Sequence, residues 1–260
     1  MQIYLSCPEC IDEQSRHESS SEAPDPIGTK RRLTTYPIAL TNEISYVVNC
    51  ESGHSSAILI GLMNHEILFE TGVYAMLDGY YREAITSFAA SLERFFEFSA
   101  RSIALACGCS EDDEGKCWAE ISSQSERQLG AYIYLYAIHF KEKPHLLPKK
   151  MVELRNSAVH KGNIPSLDKA VLFGEEVLSI MSDGSDRLWK SIPEAANKVA
   201  SEKSKQSIDK IVAGGAVQSK YIQQIDSAIR EGRALKEHLR LMRLRHARNS
   251  IIRHNKIIEG

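Results

Sequence analysis

Between Arg82 and Leu105 apolar residues return every three or four positions, and Ile85, Phe88, Leu92, Phe95 and Phe96 form a wide stripe. A stripe of that period can be buried only if a helix lies against other helices, so the chain is built around a helical bundle. The same period runs from Gly61 to Ala75. Gln128 to Phe140 is apolar enough to be largely buried. Ser166 to Met181 adds an amphipathic helix through Leu167, Ala170, Val171, Val177, Leu178 and Met181. With a short helix from Pro148 to His160, this predicts about five helices joined by short turns. The acidic run Ser110 to Glu114 reads as a surface loop, and Asp183-Gly184-Ser185 as the end of the bundle. Beyond lie Trp189, Pro193, a polar helix interrupted at Gly214-Gly215, and a last long helix from about Gln218 to Lys256.

Ahead of the bundle the pattern changes. Cys7-Pro8-Glu9-Cys10 sits in an apparent hairpin, and Cys50 and His54 follow the strand-like Ile44 to Val48. Three thiols and an imidazole suit a closed tetrahedral zinc site. Residues 11–43 would then be the loop of a small β zinc ribbon, with the Ser/Glu/Pro-rich Ser15 to Pro26 as its mobile part. Four ligands leave no open position, so this zinc is structural; His17 can replace one of them. Cys107, Cys109 and Cys117 do not repeat the spacing and read as free thiols. The expected organisation is mainly α: a zinc-ribbon-like segment over 1–58, a helical bundle over 59–185 and a basic helical extension over 186–260.

The net charge of −2 hides an asymmetry. Residues 186–260 hold 16 Lys and Arg against 8 Asp and Glu, whereas 1–185 hold 16 against 26. Between Lys236 and Lys256 seven basic residues face the single acid Glu237, a patch suited to a polyanion or to a solvated helix face. No segment reaches the ~18 uninterrupted apolar residues of a membrane span. The start, Met1 to Cys7, has neither the basic nor the long apolar region of a secretory signal. These features predict a cytoplasmic protein with no membrane partner, its cysteines reduced or metal-bound.

The densest chemistry lies in Arg155-Asn156-Ser157-Ala158-Val159-His160, followed by Lys161-Gly162. Pro148 reads as the first helical residue and Gly162 as the residue just past the end. Asn156 and His160 are one turn apart and share a face, while Arg155 lies about 140° from His160. Histidine is the side chain that exchanges protons near neutral pH, and a guanidinium holds two phosphate oxygens in a planar fork. Together these suit work on RNA phosphates. Each residue also has a plainer reading: a histidine at a helix end can cap carbonyls, and an arginine can pair with a nearby carboxylate. Arg248-Asn249-Ser250 with His254 echoes the motif, one residue out of step. No Gly-rich phosphate loop, serine triad or paired-carboxylate metal centre is visible.

Arg155-Asn156 with His160 resembles the R-(polar)-x3-H motif of HEPN domains, small helical bundles many of which are metal-independent endoribonucleases. Leu77 to Ile85 followed by Leu92-Glu93-Arg94-Phe95-Phe96-Glu97 is similar to the family's early long helix, so the resemblance covers roughly residues 60–185. It implies a homodimer that brings two Arg155, Asn156 and His160 sets into one cleft. RNA is the implied substrate, 2′,3′-cyclic phosphate the implied product, and no metal takes part in the reaction. Glu93 would lie on the neighbouring core helix, as Arg155's counterion or as part of the site. A toxin or antiviral effector restrained by an antitoxin or other regulatory protein would fit. The alternatives are a non-catalytic RNA- or nucleotide-binding module and a dimerising adaptor.

Overall fold

The computed structural model describes residues 2–20, 35–41, 43–213, 219–223 and 227–244. The chain is mainly helical and divides into two compact units, Met1–Leu62 with Ser201–Ile225, and Met63–Ala200 with Asp226–Gly260. No helix among the described residues is long and apolar enough to cross a membrane.

In the first unit, β1 (Gln2–Ser6) pairs antiparallel with β2 (Thr35–Ala39), from Gln2 opposite Ala39 to Ser6 opposite Thr35. β3 (Ser45–Asn49) and β4 (Ser55–Ile60) form a hairpin, and β5 (Ser219–Gln223) adds in parallel on the other side of β4. The central strand carries the unbroken apolar run Ala57-Ile58-Leu59-Ile60, all buried, as a strand covered on both faces requires. Cys7-Pro8-Glu9-Cys10 departs from the expected hairpin. This is no hairpin knuckle but a strand-to-helix corner, because α1 (Pro8–Ser20) starts there. Pro8 has its φ pre-set and no N–H to lose, which suits the first helical position. Residues 15–20 of the expected mobile loop are therefore helical; Ser21 to Pro26 lie outside the described residues.

In the second unit α3 (Tyr81–Ala106) is the central helix. Around it pack α2 (Asn64–Leu77), α4 (Glu111–Ile121), α5 (Ser125–Phe140), α6 (Lys149–His160) and α7 (Leu167–Ser191). Phe88 and Phe95, both fully buried, explain why α7 does not stop at Gly184. A Cβ on Gly184 would stand 2.6 Å from the Phe95 ring, and one on Gly72 or Gly174 would strike Phe88. Gly184 is thus a groove for an aromatic ring rather than a helix end. The acidic run is also helical: Ser110 caps α4 by accepting from the Asp113 N–H at 3.1 Å, and the carboxylates of its first turn face the positive end of the helix dipole.

The expected long helix from Gln218 is not formed. α8 (Pro193–Ala213) is followed by β5, by α9 (Ala228–Glu231) and by α10 over 235–244. Strand pairing with β4 supplies the backbone partners that a helix would otherwise provide. Gly214-Gly215 and Arg248, Asn249, Ser250 and His254, with most of the basic run up to Lys256, lie outside the described residues.

Candidate functional site

Two sites emerge, one in each unit. In the first, Cys7 at the end of β1 and Cys10 in the first turn of α1 meet Cys50 and His54 from the β3–β4 turn. That turn closes through bonds from the Cys50 N–H to the His54 carbonyl (3.0 Å) and from the Gly53 N–H to the Cys50 carbonyl (2.9 Å). His54 Nδ1 stands 3.8, 3.5 and 3.5 Å from the sulfurs of Cys7, Cys10 and Cys50, and the Cys10 and Cys50 sulfurs are 3.7 Å apart. A tetrahedral ion with zinc–sulfur and zinc–nitrogen bonds of ordinary length sets sulfur–sulfur edges of roughly 3.8 Å and sulfur–nitrogen edges of roughly 3.6 Å. The four ligand atoms are therefore spaced to hold a metal ion such as zinc. The other ring nitrogen, Nε2, faces the Glu13 carboxylate at 3.4 Å, the kind of outer partner that fixes which nitrogen is offered to a metal.

Two of the thiols differ in proton affinity. Burial, with the neighbouring Cys50 and Cys7, pushes Cys10 up to about 11. Burial also acts on Cys50, but backbone N–H groups of the turn and the adjoining thiols outweigh it and bring Cys50 down to about 7. Packed thiols cannot all ionise beside one another without a cation among them.

The second site is carried by α6. Pro148 precedes its first residue, one position earlier than expected, and Gly162 takes a left-handed φ of +67° just beyond Lys161. The last carbonyls are capped from elsewhere: Arg82 Nε donates to the Ala158 carbonyl at 3.0 Å, and the Asn163 N–H donates to that of Ser157 at 3.2 Å. His160 makes no cap bond. It is exposed and has no hydrogen-bond partner among the described residues. Arg155 Nη2 donates to Glu93 Oε1 on α3 at 2.7 Å, and its Nη1 to Asn156 Oδ1 at 3.1 Å. Despite their angular separation on the helix, Arg155, Asn156 and His160 line one cavity of about 460 Å³ between α3, α5 and α6.

Cys7, Cys10, Cys50 and His54 cluster as their spacing implied, and Arg155, Asn156 and His160 line one cavity, but three further residues were not legible in the sequence. Glu13 is three residues from Cys10, and that spacing has meaning only once α1 is known to be a helix. Ser125 and Glu126, which close the cavity from the first turn of α5, are brought there by tertiary packing and leave no local signal. Cys107, Cys109 and Cys117 are free thiols. The side chain of His17 lies outside the described residues. No protein-family model, curated protein or solved structure matches the chain.

Proposed function

We propose that the chain is a metal-independent endoribonuclease of HEPN type, held in shape by one structural zinc on Cys7, Cys10, Cys50 and His54. The observation that carries this reading is the convergence on one cavity of Arg155, Asn156 and His160, the last without a partner among the described residues. Glu93 and Asn156 each take one of the five guanidinium N–H groups of Arg155 and fix its plane; the other three remain for the two non-bridging oxygens of a phosphate. As the ribose 2′-oxygen attacks phosphorus, His160 takes its proton, and Arg155 stabilises the charge gathering on the phosphate. The bond to the departing 5′-oxygen breaks and that oxygen receives a proton, from His160 of a second copy in a homodimeric cleft. The products are a 2′,3′-cyclic phosphate and a 5′-hydroxyl. With Asn156 Oδ1 engaged by Arg155, its amide N–H₂ is left to orient the phosphate. Expression as a growth-arresting or antiviral effector, restrained by an antitoxin, fits such an activity.

The Arg155–Glu93 ion pair favours a second reading, in which the bundle binds RNA or nucleotides without cutting. One experiment separates the two. Purified protein incubated with total RNA without added divalent cations should generate cyclic phosphate ends, and Arg155→Ala or His160→Ala should lower the rate by ~10²-fold or more with little change in Tm. Absence of new ends from the folded wild-type protein removes the nuclease reading.

A further inference from the structure

A cavity of about 460 Å³ is far larger than a phosphate needs. Besides Arg155, Asn156 and His160 it is lined by the apolar side chains of Leu92, Phe96, Leu129 and Leu147, a lining that a phosphate cannot use and the flat face of a nucleobase can. Glu126, an exposed residue in the first turn of α5, also lines the cavity. Its Oε2 accepts from Ser125 Oγ at 3.4 Å, the outer limit of a hydrogen bond, and its Oε1 has no partner among the described residues. Of the two carboxylates lining this cavity, Glu93 is held by Arg155 through Oε1, whereas Glu126 makes only the long bond from Ser125 among the described residues.

We infer that this cavity is a base-recognition pocket selecting guanine on the 5′ side of the cleaved phosphate. The inference rests on the ribonuclease reading for the position of that phosphate. Guanine alone among the four bases presents two adjacent N–H donors on its pairing edge, at N1 and N2, matching two carboxylate oxygens. Adenine and cytosine offer a single donor group beside an acceptor, and uracil's one donor lies between two acceptors that a carboxylate repels. The base would lie along the leucine and phenylalanine walls with its edge at Glu126 and its 3′-phosphate at Arg155 and His160.

The test is calorimetric titration of the full-length, metal-loaded protein with 3′-GMP, 3′-IMP, 3′-UMP and ribose 5-phosphate, none of which has a phosphodiester bond to cut. 3′-GMP should bind about tenfold or more tightly than 3′-IMP, which lacks only the N2 amino group, and more tightly still than the sugar phosphate. Glu126→Gln should bring 3′-GMP down to 3′-IMP while leaving 3′-UMP unchanged. Equal affinity for all three nucleotides and ribose 5-phosphate overturns the inference, and so does a guanine preference that survives Glu126→Gln. Guanine-selective binding by a protein that never cuts RNA removes the ribonuclease reading and leaves the pocket. Cutting after every base, with no selectivity in binding, does the reverse.

Discussion

His65 shows what burial does to a single titratable side chain. It is 1% exposed, at the start of α2, against the rings of Phe95 and Phe98 with centroids 5.5 and 5.6 Å away, and its Nε2 has no hydrogen-bond partner among the described residues. Burial first, and the nearby Arg230 charge second, lower its proton affinity to about 3. In the unfolded chain a histidine titrates near 6.5, so between those values the unfolded state binds the extra proton and the folded state does not. The stability tied to a neutral His65 is fully present above about pH 6.5 and is lost as pH falls towards 3, at about 1.4 kcal/mol per pH unit. Urea unfolding at pH 7 and pH 5 should show a drop of about 2 kcal/mol from this group. His65→Leu should remove that component; an unchanged slope in the variant would falsify the assignment. At this scale the sequence was uneven as a guide. Cys7, Cys10, Cys50 and His54 could be read from spacing because metal chelation constrains residue type and interval directly. Glu13, Glu126 and His65 could not, since what matters in each is a neighbour that only the fold supplies.

Among the elements, α2 carries the most demanding polar arrangement. Glu66 and Glu70, one turn apart and both buried, are partnered by the segment that leads from α9 into α10. Glu66 accepts from Ser227 Oγ (3.1 Å) and pairs with Arg230 Nε at 2.7 Å, while Glu70 accepts from the Ala228 N–H (3.1 Å) and pairs with His238 Nε2 at 2.7 Å. Removing one member of such a pair strands a charge away from water, whereas removing both with apolar residues of similar bulk does not. Glu70→Ala and His238→Ala should therefore each cost about 3–5 kcal/mol, and Glu70→Leu combined with His238→Leu much less. Chemical denaturation of the three variants gives the answer, and simple additivity of the single losses would contradict it. The bundle helices were legible because a 3.6-residue stripe survives any tertiary context. What misled was punctuation. The glycine in Asp183-Gly184-Ser185 reads as a stop but serves a ring of α3, and the acidic run before Cys117 reads as loop but is a dipole-matched first turn. The tyrosine and isoleucine of β5 read as helix because its pairing strand lies more than 150 residues away in sequence.

For the whole molecule, the proposed chemistry asks for a second copy: one His160 can take the 2′-proton, but a second acid on the far side of the phosphate has no candidate on the same helix. The surface around α6 is suited to receive that copy. Val152 on α6, Ile164 in the connection to α7, and Leu167 and Leu172 on α7 are large apolar side chains left 40, 81, 44 and 53% exposed. A two-fold contact that buried these exposed apolar side chains would use the same patch from both copies. Light scattering at micromolar concentration should give a mass near twice the 29.1 kDa chain. Ile164→Asp and Leu172→Glu place charges where the bundle core is not disturbed, so each should shift the protein to monomer while leaving Tm nearly unchanged. RNA cleavage should fall together with the dimer and return at protein concentrations high enough to restore it. A monomeric variant that cuts at the wild-type rate would remove the second copy from the mechanism and require the proton for the 5′-oxygen to come from water or from a residue of the same chain.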